Sequence, residues 1–292
     1  MCGSNEKAGT ASGGMPVGSA PDVRFAINHM AAPQLDLAAF FALAGALGVR
    51  DVEIRNDIAG KPILDGTSPA KVKAAAEAAG VAIITINALQ RFNEWNATRA
   101  QEAIALADYA RACGAKAIIL VPVNDGSGRG DGERQRNVRT ALSNLKPILA
   151  DRGITGLVEP LGFTVCSLRR KSEAAAAIDA VGGGFRLVHD TFHHTLAGED
   201  ATFPAMTGLV HISGVDDPAI AVDDMRDPHR VLVGAGDRIG NVAQIKALRA
   251  AGYNGPFSFE PFAGELRHLK DPAKAIRESM DFIGRGLVSI AA

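Results

Sequence analysis

From residue 23 onward two hydrophobic patterns alternate along the chain. Short apolar or β-branched runs, the mark of strands buried on both faces, occur at 23–28, 51–55, 82–87, 117–121, 155–159, 185–190, 209–212 and 257–260. Between them lie alanine-rich stretches whose apolar positions recur at helical spacing. These predict helices over 35–47, 69–79, 98–113, 133–150, 173–180, 201–206 (short) and 242–251, with a last one from about 273 to 283. Gly48, Gly80, Gly114, Gly153 and Gly252 follow five of these helices, where a left-handed cap turns the chain into the next strand. Ser68-Pro69 reads as an N-cap followed by the first helical residue.

Eight strands in strict alternation with helices imply a parallel sheet, and eight such units close into a (β/α)8 TIM barrel. An open, doubly wound sheet would carry a phosphate-binding glycine motif after its first strand. Here that strand runs into Asn28-His29-Met30-Ala31-Ala32-Pro33, which has none. No shift in composition divides the chain, so 22–292 is expected to form one catalytic domain. Residues 1–21 are rich in Gly, Ser and Ala and lack an apolar signal core, which predicts a disordered tail rather than a secretion signal.

Charge adds an exclusion. Lys and Arg number 31 against 32 Asp and Glu, so nothing favours a nucleic-acid partner or an acidic membrane surface. No apolar run reaches the ~18–20 residues that a membrane span needs. Cys2, Cys113 and Cys166 fit neither a disulfide framework nor a zinc ribbon, and predict reduced thiols in a cytoplasmic protein, with Cys113 and Cys166 buried. The sequence leaves room for a homo-oligomer.

In such a barrel the chemistry sits at the C-terminal ends of the strands. The last four runs end at Glu159, Asp190, His211 and Glu260, each behind apolar residues. A buried charge there is costly unless it is paired or bound to metal. Any one of the four could be a helix cap or an ion-pair partner. Four in succession point instead to one divalent ion, Mn²⁺, Co²⁺, Mg²⁺, Fe²⁺ or Zn²⁺, held by Glu159, Asp190, His211 and Glu260 with positions left for substrate. His193, three residues beyond Asp190, is placed near the same site. His189 is read as an outward-facing strand residue and His194 as part of an exposed loop. Arg55 is either a substrate contact or an ion-pair partner of Glu53 or Asp57. Trp95, the only tryptophan, is either an aromatic wall for a sugar ring or a packing residue. The long loop 213–236 is expected to fold over the mouth and exclude water.

Several segments together resemble the xylose isomerase-like barrels of the sugar isomerase/epimerase superfamily, and within it the inosose (2-keto-myo-inositol) isomerases of inositol catabolism. They are Val52-Glu53-Ile54-Arg55, Ile86-Asn87-Ala88-Leu89 with Phe92-Asn93, Glu159-Pro160-Leu161-Gly162-Phe163 with Cys166, and Asp190-Thr191-Phe192-His193. The most specific is His211-Ile212-Ser213-Gly214-Val215-Asp216-Asp217-Pro218. It is followed by Asp227-Pro228-His229-Arg230-Val231, Gly234-Ala235-Gly236-Asp237 and Phe259-Glu260-Pro261-Phe262. The resemblance implies the same four metal ligands and adds substrate contacts from His193 and Arg230. The ketohexose 3-epimerases of the superfamily carry a further Glu shortly after the strand-five ligand; Val165 and Cys166 occupy that region here, which counts against a ketohexose epimerase.

The implied activity is a metal-dependent isomerisation or epimerisation of a ketose or inosose through an enediolate. Glu159 and Glu260 form its acid/base pair, and Arg55, Asn87 and Arg230 hold hydroxyls. An inosose dehydratase is the alternative. A non-catalytic sugar-binding barrel and a metal-dependent phosphodiesterase fit less well, since no ligand is lost and no basic groove is evident. The expected partner is a small polyol or keto-sugar.

Overall fold

The computed structural model describes residues 23–58, 63 and 66–288; the expected tail at 1–21 lies outside them. Eight parallel strands, each hydrogen-bonded to the next, form a barrel that closes through β8 and β1. The order is β1 (Phe25–Asn28), α1 (Leu37–Ala46), β2 (Asp51–Arg55), α2 (Pro69–Ala78), β3 (Ala82–Gln90), α3 (Ala97–Cys113), β4 (Ala117–Val121) and α4 (Glu133–Ala150). It continues with β5 (Thr155–Val158), α5 (Lys171–Ala180), β6 (Phe185–Asp190), α6 (Thr191–Ala197), β7 (Thr207–Ile212), α7 (Asn241–Ala250), β8 (Phe257–Phe259) and α8 (Pro272–Val288). The TIM-barrel reading therefore holds and the open-sheet competitor does not. Among the described residues no helix is long and apolar enough to cross a membrane.

Side chains alternate across each strand, and this alternation builds both core layers. Val52, Ile54, Val158, Leu187, Val210, Ile212, Phe257 and Phe259 join the large cluster between sheet and helices. Their neighbours Ile119, Leu157, Val188 and Leu209 form a smaller apolar cluster with Ala88 and Ala117. Two residues beyond Leu157, Val188 and Leu209 come Glu159, Asp190 and His211, on the same side of their strands. The polar mouth thus rests on an apolar plug.

The expected elements are met within a few residues, with one substantive difference. The short helix expected at 201–206 is instead α6 at Thr191–Ala197. Asp190 starts it, accepting a hydrogen bond from the His193 N–H at 3.0 Å, and Gly198 in a left-handed conformation ends it. Phe203, also at positive φ, and Pro204 then turn the chain into β7. Ser68 precedes Pro69 as predicted, but its side chain makes no capping bond.

The loop from β5 to α5 lies hard against α6. A Cβ at Gly162 would collide with the His193 carbonyl oxygen and crowd Leu196 Cβ at 2.7 Å. Backbone cannot yield as a flexible side chain can. Gly162→Ala is therefore expected to lower stability by about 1–3 kcal/mol, read as a lower urea midpoint; an unchanged midpoint would contradict the close approach.

Candidate metal centre

Glu159 lies directly after β5, Asp190 ends β6, His211 lies in β7 and Glu260 directly follows β8. Parallel register sets Asp190 beside His211 and His211 beside Ser258. One ligand atom from each of Glu159, Asp190, His211 and Glu260 falls within 4.8 Å of the others, and all four residues are buried. His211 Nδ1 is the nitrogen turned toward the carboxylates, at 2.7 Å from Glu159, 3.1 Å from Glu260 and 3.9 Å from Asp190.

The opposite nitrogen of His211, Nε2, lies 3.2 Å from the carboxylate of Glu53, a residue with no exposed surface. Glu53 accepts further hydrogen bonds from the Thr85 and Ser258 hydroxyls, from Asn87 Nδ2 at 2.9 Å and from Asn28 Nδ2 at 3.3 Å. Burial pushes the Glu53 carboxyl up, but His211 and the Ser258 and Thr85 hydroxyls outweigh it and bring its pKa down to about 2. An ionised Glu53 can only accept, so Nε2 carries the hydrogen and Nδ1 is left for a metal. The sequence reading missed this role, taking Glu53 only as an ion-pair partner for Arg55. The same two-residue alternation that exposes the other ligands also points Glu53 inward.

Two buried arginines grip the other carboxylates. Arg230 Nη2 lies 2.6 Å from Asp190 and 3.1 Å from Glu260, and its Nε donates to the Ser213 hydroxyl at 2.9 Å. The Phe192 and Phe262 rings lie 4.9 and 4.6 Å from its guanidinium. Arg55 Nη1 lies 2.7 Å from Glu260 while its Nε and Nη2 fork onto Asp57 at 2.7 and 2.8 Å.

Buried charge favours a divalent ion here. Four buried carboxylates, Glu53, Glu159, Asp190 and Glu260, face two buried guanidiniums, Arg55 and Arg230. Each guanidinium is also paired with a more exposed carboxylate, Asp57 or Asp227, so an excess of negative charge remains that suits a divalent cation beside a neutral His211. In the protein alone the strain shows in two titrations. Burial opposes charge on His211, yet Glu260, Glu53 and Glu159 raise its pKa well above the ordinary value. Burial, reinforced by Glu260 and Asp190, raises that of Glu159. Glu260 is also buried, but His211, Arg230 and Arg55 draw its pKa down to about 2.

Above the cluster lies a cavity of ≈ 390 Å³, lined among others by Arg55, Asn87, Glu159, His193, Arg230 and Glu260. All the residues expected at the site thus reach one cavity wall or the cluster beneath it. Their roles differ from expectation in part. Asn87 and Arg230, expected to hold hydroxyls, already bind Glu53 and two ligand carboxylates. Arg55 is an ion-pair partner of Asp57 and Glu260 and lines the cavity as well. His193 is buried with no hydrogen-bond partner at Nδ1, leaving that atom for a ligand. His189 faces away from the barrel, as expected, and contacts Gln244 Oε1 at 3.0 Å. His194 is not in an exposed loop: it is half-buried in α6, its Nδ1 2.6 Å from the ammonium of Lys171. Trp95 packs half-buried against the barrel core and is not part of this cavity's lining. The loop after β7 contributes Asp227 and Arg230 to the cavity lining, and its Gly214 and Val231 pair as an antiparallel bridge.

Comparison with known proteins agrees with the barrel fold. The family model described as xylose isomerase-like TIM barrel matches residues 41–285. A xylose isomerase domain containing protein from Salmonella typhimurium LT2 is 33% identical, with a TM-score of 0.84 over 94% of this chain and 100% of its own. The IOLI protein, solved with a bound zinc atom, is 20% identical, with a TM-score of 0.81 over 91% of this chain and 98% of its own. The D-allulose 3-epimerase of a Methylomonas species, in complex with D-allulose, is 18% identical, with a TM-score of 0.66 over 91% of this chain and 95% of its own. No functionally curated protein sequence matches the chain.

Elemental analysis should find about one divalent ion per chain in wild type, and sharply less in Glu260→Gln and His211→Ala. Metal uptake should release a proton from His211, so affinity should rise with pH. A wild-type protein that takes up no metal from Mn²⁺, Co²⁺ or Zn²⁺ would refute the site. Glu53→Gln leaves every ligand in place but weakens the acceptor behind His211. It should reduce metal affinity about 10–100-fold in a chelator competition assay with the circular dichroism spectrum unchanged; unaltered affinity would deny Glu53 this role.

Proposed function

The chain belongs to the xylose isomerase-like TIM-barrel family, and from that premise we propose that it is a divalent-metal-dependent isomerase or epimerase of a small keto-polyol, with 2-keto-myo-inositol as the favoured substrate. The observation that carries this reading is the convergence of Glu159, Asp190, His211 and Glu260 beneath a polar cavity. A ring of neighbouring carbonyl and hydroxyl groups suits that cavity, whose polar lining includes Arg55, Asn87, His193 and Arg230. The zinc in the IOLI protein and the epimerase activity of the allulose enzyme fit the same reading. Free buried thiols at Cys113 and Cys166 fit a cytoplasmic enzyme.

When bound, the cation supplies Lewis-acid stabilisation of negative charge on the substrate oxygens. Glu159 and Glu260 approach from non-adjacent strands, and their surroundings set them apart. The two guanidiniums keep Glu260 ionised and able to accept the α-proton of the substrate. Glu159, entering from the other side, completes the acid/base pair and returns a proton to carbon when it starts the cycle protonated. Return to the neighbouring carbon, with the oxygens exchanging their one hydroxyl proton through His193 Nδ1, gives isomerisation. Return to the same carbon from the opposite face gives epimerisation. The apolar plug beneath and the Ser213–Val231 side of the mouth keep bulk water from competing for these protons.

The metal-loaded protein incubated with 2-keto-myo-inositol in D₂O should place deuterium on carbon and yield a product isomeric with the substrate. Glu159→Gln and Glu260→Gln should each lower kcat about 10²–10⁴-fold. A product lighter by one water would replace this reading with that of an inosose dehydratase. No turnover of the inosose or of any ketose in a metal-loaded sample would overturn it.

A further inference from the structure

Beside the cavity over the metal cluster lies a second one of ≈ 340 Å³ that the proposed chemistry does not use. Asn124 and Asp227 line both, so the two compartments share an edge. The shared wall is tied to the reacting end, because Asp227 accepts from Arg230 Nη1 at 3.2 Å while Arg230 also grips Asp190 and Glu260. Each compartment falls in the range of about 300–1,000 Å³ that holds a small ligand.

The lining of the outer compartment is amphipathic. Phe163, Val165 and Leu196 give it an apolar side, and Asn124, Asp223 and Asp227 give it a side of hydrogen-bond acceptors. Val165 keeps 42% of its surface exposed. It is held in place by the chain, since its carbonyl accepts from the Gly126 N–H at 3.2 Å and so links the loop after β4 to the loop after β5. The charges exclude a phosphate. Arg169 spends Nε and Nη2 on the carbonyls of Gly162 and Leu196, at 2.8 and 2.7 Å. Arg226 spends Nη1 on those of Asp223 and Met225, at 2.8 and 2.7 Å, with its guanidinium 5.9 Å from the Phe163 ring. Asp223 and Asp227 share the lining with these two cations and disfavour an anion. A neutral ring with one C–H face and a rim of hydroxyls complements both sides of this lining.

We infer that the outer compartment is a subsite for a second sugar ring, so that the natural substrate is a glycoside whose keto-polyol ring reacts over the metal cluster. This rests on the isomerase reading for the inner ring and names what that reading leaves open, the size and class of the substrate. Phe163, Val165 and Leu196 would take the C–H face of the glycosyl ring, while Asp223 and Asp227 accept from its hydroxyls.

Isothermal calorimetry on the Mn²⁺-loaded protein tests this with paired probes: myo-inositol against galactinol, and D-fructose against turanose and isomaltulose. At least one glycoside should bind about tenfold or more tightly than its own parent ring. Val165→Trp, which fills the outer compartment from an exposed position, should erase that gain and leave parent binding within about twofold. Parents that bind while no glycoside binds more tightly would overturn the subsite and leave the isomerase reading standing. A gain that survives Val165→Trp would also overturn the assigned location. Absence of binding by every parent and every glycoside would overturn the subsite, while turnover of 2-keto-myo-inositol decides the isomerase reading.

Discussion

Mutual repulsion among four buried carboxylates is the constraint around which this molecule is arranged. Glu53, Glu159, Asp190 and Glu260 stand within one polar layer at the mouth of the barrel, where little water can screen them. Left uncompensated they would drive the strand ends apart or hold protons that chemistry at neutral pH cannot use. Arg55 and Arg230 offset part of that charge while also pairing with Asp57 and Asp227, and the negative charge that remains suits a divalent cation. The raised titrations of His211 and Glu159 express the same imbalance in the protein alone. Compensation of the negative charge at the mouth is therefore the electrostatic problem that this cluster poses.

The barrel supplies the solution through geometry more than through composition. A closed parallel sheet brings the ends of eight strands to one rim, and alternation along each strand chooses which side chains meet there. Apolar residues two positions earlier fill the interior below, so the charged layer has a dry floor. Asp190 shows how tightly local and tertiary roles are combined. One oxygen caps α6 through the His193 N–H, and the other faces Arg230 and His211. Starting the helix and placing the ligand are the same event, which also brings His193 to the cavity wall.

The loops complete what the strands begin. Arg230 comes from the long segment after β7 and reaches two ligands from β6 and β8. Gly162, whose backbone lies against α6, lets the loop after β5 close on His193. These segments also wall the outer compartment. Changes in substrate size can thus be made in loops without disturbing the strand-end ligands, a separation that suits a fold used for many chemistries.

The alternation of apolar runs and alanine-rich helices was sufficient to read eight βα units, their boundaries to within a few residues, and hence the closed barrel. It also pointed to the four residues that cluster at the mouth, Glu159, Asp190, His211 and Glu260, because a strand end in this fold has only one destination. Local pattern stopped short where partners come from distant segments. Nothing in Val52-Glu53-Ile54-Arg55 indicates that Glu53 backs His211, 158 residues away, or that Arg55 reaches Glu260 across 205. Asn87 and Arg230 read as free donors, yet tertiary contacts commit them to carboxylates. The helix expected at 201–206 lost to α6, because a cap at Asp190 and a left-handed Gly198 fixed the turn earlier in the chain. Periodicity is a short-range property that a sequence carries openly. Charge compensation depends on distances through space, and only the closed barrel sets those.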